Sequence, residues 1–179
     1  MATIDLHYID ELIQVRQAQH GGNPGAPPVL GGHRVGVSIN RSCVVMLSAL
    51  LQAYVEEVYK DAARRMFPHL AARPADFDTY WKQMKMWGNP SDANIKALFL
   101  RLGVADVFNG LSWQRTNTAA IKRNLEVLNI ARNQIAHGAP HLTVNQSPYS
   151  LSLAEVVRFR NFADAFGNRF EHHVASFIP

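Results

Sequence analysis

Residues 38 to 67 form the longest uninterrupted helical pattern in this chain. The stretch contains no Gly or Pro, and its apolar residues recur every three or four positions, the spacing that places them on one face of an α-helix. These apolar positions are Val44, Leu47, Leu51, Tyr54, Val55, Val58, Ala62 and Met66. A helix of this length has to bury its apolar stripe against other elements, so the pattern predicts a packed bundle.

The rest of the chain extends the same periodicity. Further helices are expected over residues 3 to 20, 91 to 102, 118 to 137 and 152 to 174, with a shorter aromatic segment over residues 74 to 90. The Gly/Pro-rich stretch 21 to 32 and residues 139 to 150 are predicted loops. Because no segment shows convincing strand alternation, we predict an all-α fold, an up-and-down bundle of four to five main helices with short extra helices.

Composition indicates one ordinary globular domain. The chain has 179 residues, 47% of them hydrophobic, which is enough for a single core. We expect one domain over residues 1–179, with an N-terminal helix and Gly/Pro-rich loop over 1–37 and a core bundle over 38–179. The net charge of +4 is compatible with a polyanionic partner without requiring one. No signal peptide or membrane span is evident, so we expect a cytoplasmic protein without membrane contact.

The helix predicted over residues 118 to 137 carries a polar flank beside its apolar stripe. The members of this flank are Lys122, Glu126, Asn129, Arg132, Asn133 and His137. At 100° per residue, Arg132 and His137 lie about 140° apart on an ideal helix, which is wide for two groups acting on one phosphate. An ordinary solvated face explains such a flank, and so does an RNA-cutting site. A symmetric dimer, in which each site borrows from both chains, would relieve the wide separation.

These residue types suit one reaction in particular, the attack of a ribose 2′-OH on the adjacent phosphate. A His would move the proton, and an Arg would neutralise the charge that builds on the phosphorane. This chemistry needs no metal and no cofactor. The other histidines lack metal-ligand spacing, and no serine or cysteine nucleophile motif is present. Glu56 is better explained by a surface pair with Lys60, one helical turn away, than by a catalytic carboxylate.

The sequence "ARNQIAHG" (131 to 138) resembles the signature of the HEPN superfamily, in which an Arg, a polar residue, three further positions and a His end one helix of a small α-bundle. Arg132, Asn133 and His137 match it. The order of segments is similar to that of the small bacterial proteins grouped as RiboL-PSP-HEPN domains: "LSALLQAYVEEVYKD" (47 to 61), "LFLRLGVADVF" (98 to 108), the Arg/His helix and a closing helix. The resemblance covers most of the chain from about residue 40 onward.

The resemblance implies a homodimer with facing motifs and a metal-independent endoribonuclease that leaves a 2′,3′-cyclic phosphate. It implies that His137 transfers protons, that Arg132 holds the scissile phosphate and that Asn133 positions the backbone or the His. Asn129 and Lys122, on the same flank, are expected to bind substrate. Many relatives act as toxins or in phage defence beside an inhibitory partner.

The chain departs from the related pattern at one position. Related sequences often have an acid where this chain has Gln52, and Glu56, one turn on, is the candidate substitute. Because some members of the superfamily have lost catalysis, an inactive dimeric module that binds RNA, nucleotide or a protein partner stays an alternative. A scaffold bundle without a ligand is a third reading, and it predicts that the polar flank faces bulk water.

Overall fold

The computed structural model describes residues 2–19, 29–30, 33–84 and 87–178. Within these ranges the helices are α1 His7–Ala18, α2 Val37–Met66, α3 Pro68–Ala71, α4 Pro74–Met84, α5 Asp92–Leu100, α6 Thr118–Ala136 and α7 Leu153–Ala175. Two antiparallel hairpins accompany them, formed by β1 Val29–Leu30 with β2 His33–Arg34 and by β3 Leu142–Val144 with β4 Ser147–Tyr149. The predicted all-α helical bundle is confirmed.

Helix α2 is the centre of the bundle. It packs against α1, α6 and α7, and α5 also contacts it. Because neighbours surround it, α2 buries the predicted stripe except for the half-buried Met66, together with Cys43, Ser48, Tyr59 and Ala63 on adjoining positions. Burial raises the pKa of the Cys43 thiol to about 11, as expected for a cysteine that packs as a small hydrophobe.

Local capping sets the starts of α5 and α7, where the sequence has Ser91 and Ser152 just before the helical patterns. Ser91 accepts a hydrogen bond from the Asn94 amide at 3.2 Å and begins α5, and Ser152 accepts one from the Glu155 amide at 3.2 Å and begins α7. Ser152 followed three positions later by Glu155 predicts a capping box at the start of α7, and the structure shows it only half formed. The Glu155 carboxylate turns to Tyr149 and Arg158 instead of returning to the Ser152 backbone.

Two predictions of secondary structure were wrong in part. Helix α1 begins at His7 rather than at residue 3, because the Asp5 side chain accepts the His7 amide at 3.0 Å and so competes with helical pairing. Part of the stretch from 139 to 150 is the β3–β4 hairpin instead of an irregular loop. Most of the predicted loop over residues 21 to 32 lies outside the described residues, and residues 29–30 belong to β1.

The predicted ion pair between Glu56 and Lys60 was wrong as well. Lys60 pairs with Glu57 at 2.7 Å, three positions away, because Glu56 points toward the interior between α2 and the segment before α5. Across the described ranges, no helix combines the length and the apolar character that spanning a bilayer would require.

Candidate functional site

The motif lies at the end of α6, where a glycine terminates the helix. Gly138 adopts a left-handed φ of +73°, and its amide and that of Ala139 bond to the carbonyls of Ile135 and Gln134. These two bonds form a Schellman motif, which satisfies carbonyls at the helix end. His137 is therefore the C-cap residue, and its own amide bonds to the Asn133 carbonyl at 3.0 Å.

Arg132 and Asn133 form one hydrogen-bonded unit on this helix. The Arg132 guanidinium donates from Nη1 to Oδ1 of Asn133 at 3.1 Å, and both side chains are half-buried. No carboxylate pairs with Arg132 in the part of the chain that the structure describes. Its positive charge is therefore held by a neutral oxygen and is not cancelled by an acid.

The segment before α5 holds Asn133 from the other side. Asn89 donates its side-chain amide to the same Asn133 oxygen at 2.8 Å. The backbone carbonyl of Asn89 accepts a hydrogen bond from the Ser91 backbone amide at 2.7 Å and one from the Asn94 side-chain amide at 2.9 Å. Because Pro90 follows, the backbone of Asn89 is further confined to extended conformations. This junction therefore carries Asn89 on a well-restrained loop against the motif helix.

Glu56 joins α2 to the same loop. Its Oε1 accepts the indole N–H of Trp87 at 3.2 Å and the side-chain amide of Gln52 at 3.4 Å. Trp87 is 7% exposed, so Glu56 supplies its buried indole N–H with an acceptor. The carboxylate is engaged with the loop and makes no ion pair with Arg132 among the described residues.

The backbone that follows His137 is held from two sides. Gln134 and Thr143 exchange a pair of hydrogen bonds, Nε2 to the Thr143 carbonyl at 2.7 Å and the Thr143 amide to Oε1 at 2.8 Å. From α2, Arg41 donates to the carbonyls of Ala139 and Pro140 at 2.8 Å each. His137 itself is exposed, and its imidazole has no hydrogen-bond partner within the described ranges.

Of the two residues expected to bind substrate, Lys122 lies apart from this arrangement. Lys122 precedes Arg132 by ten residues, about 15 Å along the helix. Its ammonium group pairs with Asp106 at 3.4 Å, and Lys96 shares the same carboxylate at 3.3 Å. Burial works against the ionisation of Asp106, but the Phe108 amide and both lysines hold its pKa below the usual value.

Asn129 lies one turn before Arg132 and is half-buried. Its Oδ1 is fully buried and has no hydrogen-bond partner among the described residues. A carbonyl oxygen accepts hydrogen bonds and does not attract a phosphate, so this atom adds nothing to an anion site. The polar flank is thus divided: Lys122, Asn129, Arg132 and Asn133 are half-buried, whereas Glu126 and His137 are exposed.

The structure bonds Asn133 to Asn89, which the sequence did not single out. The side chains of Asn94 and Trp87 make hydrogen bonds within or onto the same loop, and those of Gln134 and Arg41 hold the backbone that follows the motif. In the sequence, the "GNP" turn at residues 88–90 is marked only by its Gly and Pro residues. Within the described residues, no group of three or more His, Cys, Asp and Glu side chains is placed to hold a metal ion. No protein-family model, curated protein or solved structure matches this chain.

Proposed function

We propose that this protein is a metal-independent endoribonuclease of the HEPN type, acting in a toxin or phage-defence role. The proposal rests on the surroundings of the Arg132 guanidinium. Its guanidinium is half-buried and oriented by the Asn133 oxygen, and no described carboxylate neutralises it. Such a cation is available to a phosphate group, for which guanidinium is a strong hydrogen-bonding partner.

The reaction is an internal transesterification. His137 takes the proton of the ribose 2′-OH, and that oxygen attacks the adjacent phosphorus as the bond from phosphorus to the 5′ oxygen breaks. The leaving 5′ oxygen takes a proton from water, His137 returns its proton to the solvent, and the products are a 2′,3′-cyclic phosphate and a 5′-OH. Arg132 stabilises the negative charge on the pentacoordinate phosphorus, where fixed hydrogen-bond donors lower the barrier most.

The proposed enzyme is a homodimer. Arg132 and His137 lie about 140° apart on an ideal helix, so two facing copies of α6 are better arranged than one chain to direct both groups at one phosphate. A second copy related by a twofold axis would bring a His137 to each Arg132, since an isologous interface makes the same contact twice. The partner expected in the cell, apart from RNA, is an inhibitory antitoxin protein.

The decisive experiment incubates the purified protein with single-stranded and structured RNA in EDTA. We expect cleavage by the wild type that leaves cyclic phosphate ends, and a loss of about 10²-fold or more in Arg132→Ala and His137→Ala. Two matched controls are Arg123→Ala, on the exposed side of α6, and His141→Ala, an exposed histidine just after the motif. If His137→Ala cuts RNA as fast as the wild type, the site assignment is wrong.

One observation favours a second candidate function, a catalytically inactive dimeric module that binds RNA, nucleotide or a protein partner. Gln52 stands where an acid is expected, and the neighbouring carboxylate of Glu56 is bonded to Trp87 rather than to Arg132. For such a module we expect RNA to bind and stay intact with the wild type and both alanine variants.

A further inference from the structure

The orientation of the Asn133 side-chain amide follows from its two partners. A guanidinium group carries only donors, so the atom that Asn133 presents to Arg132 has to be its oxygen. Asn89 brings a second donor, its Nδ2, to the same oxygen at 2.8 Å. Turning the amide over would set its N–H groups against the donors of Arg132, and the bond to Asn89 would survive only if the Asn89 amide turned over as well.

Asn89 can act in this way because it is itself immobilised. Its backbone carbonyl accepts two hydrogen bonds at the start of α5, one from the amide of the N-cap residue Ser91 and one from the Asn94 side chain. Gly88 lies so close to Asn94 that an added Cβ would approach Nδ2 to 2.7 Å, which shows how tightly the loop is packed. The Asn89 donor is thus anchored to a helix rather than to a free loop.

The consequence concerns the Asn133 nitrogen. With the oxygen occupied by two donors, Nδ2 retains both N–H groups without an acceptor among the described residues, and the side chain is half-exposed. The remaining N–H groups of Arg132 lie on the adjoining residue. The free groups of Asn133 and Arg132 are thus all hydrogen-bond donors. A group of donors without an acceptor among them is the kind of site that binds a phosphate oxyanion.

We propose that Asn89 is a positioning residue that orients the Asn133 amide, so that the Asn133 nitrogen and the Arg132 guanidinium jointly donate to a backbone phosphate of RNA. This assignment rests on the proposed function for its ligand class and adds to it a direct role for Asn133 and an indirect one for Asn89. It explains why a loop 44 positions away in sequence is bonded to the motif helix.

The first test substitutes Asn133→Asp. An aspartate keeps an oxygen for both Asn89 and Arg132, so thermal stability is retained, but it replaces the outward nitrogen by an acceptor. The probe is a fluorescent 2′-O-methyl RNA oligonucleotide, which cannot be cleaved, and the readout is its Kd by anisotropy. We expect affinity to fall about tenfold or more, as for a lost hydrogen bond to a charged group. Asn161→Asp, on the exposed face of α7, controls for the added charge.

The second test removes the positioning residue without changing charge. Asn89→Ala leaves Arg132 as the one partner of the Asn133 oxygen, and we expect about a threefold weaker Kd and a higher KM for RNA with a smaller change in kcat. Ser91→Ala is the matched control, because it removes the α5 cap and destabilises the same loop while leaving the Asn89 side chain in place. Measured well below Tm, Ser91→Ala should bind like the wild type.

The outcomes separate the two proposals. Weaker probe binding in Asn133→Asp and Asn89→Ala, with both controls like the wild type, supports the donor set even if the wild type cuts no RNA, in which case the nuclease proposal alone is wrong. Wild-type affinity in those two variants overturns the donor set, whether or not RNA is cut. A wild-type protein that does not bind the probe overturns it as well.

Discussion

A Cβ atom added to Gly36 would lie 2.3 Å from Nε of Arg16, so the start of α2 and the end of α1 touch without room for a side chain. Gly36 is the N-cap residue of α2 and has a φ of +80°, which L-residues rarely adopt. Arg16 is 3% exposed and cannot easily move aside. The contact sets how closely these two helices approach.

Gly36→Ala should therefore destabilise the protein by about 2 kcal/mol or more, since a left-handed backbone cost of about 1–2 kcal/mol is joined by a clash. Gly138→Ala is the control, because Gly138 has a similar φ of +73° and open space at its Cβ position. Gly138→Ala should lower the unfolding free energy only by the cost of the left-handed backbone. If urea denaturation gives the same loss of unfolding free energy for Gly36→Ala and Gly138→Ala, the Arg16 side chain moves away from the new Cβ without cost and the predicted clash is wrong.

Glu56 is expected to be a structural residue of the loop before α5. Glu56→Ala leaves the indole N–H of Trp87 without its acceptor, and a buried unpaired donor costs about 1–3 kcal/mol. Glu56→Gln keeps an acceptor oxygen and should cost less. The adjacent variant Glu57→Ala, which breaks only an exposed pair with Lys60, should change stability by less than about 1 kcal/mol. Chemical denaturation followed by tryptophan fluorescence gives all three values, and a Glu57→Ala loss as large as that of Glu56→Ala would contradict this role.

The ion pair between Asp10 and Arg160 joins α1 to α7 and should make stability depend on pH in the acid range. Two hydrogen bonds of 2.8 and 2.9 Å from the Arg160 guanidinium lower the pKa of Asp10 below its ordinary value of 3.8. The stabilisation is thus complete above about pH 3.8 and is lost as the pH falls through the lower folded-state pKa.

At neutral pH, Asp10→Asn should cost up to about 1 kcal/mol, because both side chains are partly exposed and solvent screens the pair. The difference in unfolding free energy between the variant and the wild type should shrink below about pH 3.8. Asp78→Asn, an exposed acid on α4 without a described ion pair, is the control. A difference that stays constant from neutral pH to about pH 2 would contradict the linkage.

If each proposed active site combines Arg132 of one chain with His137 of the other, two inactive variants should complement each other. In a mixture of Arg132→Ala and His137→Ala chains, half of the dimers are mixed, and each mixed dimer holds one intact pair. We expect about one quarter of wild-type RNA cleavage after subunit exchange. No recovery in a mixture shown to contain mixed dimers would argue against a shared site, and a monomer at micromolar concentration by sedimentation would exclude it.

Much of the helical architecture could be predicted from the sequence, because its determinants are local. An apolar residue every three or four positions specifies a helix and its buried face, and α2 needed nothing else. Helix ends are local as well, because a capping residue bonds to backbone groups within about five residues. The ends marked by Ser91, Ser152 and Gly138 could therefore also be predicted. The end of α6, and with it the place of His137 at the C-cap, belongs to this class.

The partners of the motif could not be predicted, because they come from distant parts of the chain. Asn89 is 44 residues from Asn133, and Trp87 is 31 residues from Glu56. Helical periodicity alone does not say whether the Glu56 side chain turns inward, because that depends on the neighbouring loop. A surface pair between Glu56 and Lys60 was therefore equally compatible with the sequence. The sequence by itself determined the helices and the residues at the end of α6. Only the tertiary structure decided which polar atoms at the end of α6 have hydrogen-bond partners among the described residues, because hydrogen bonds between separate segments depend on how the helices pack.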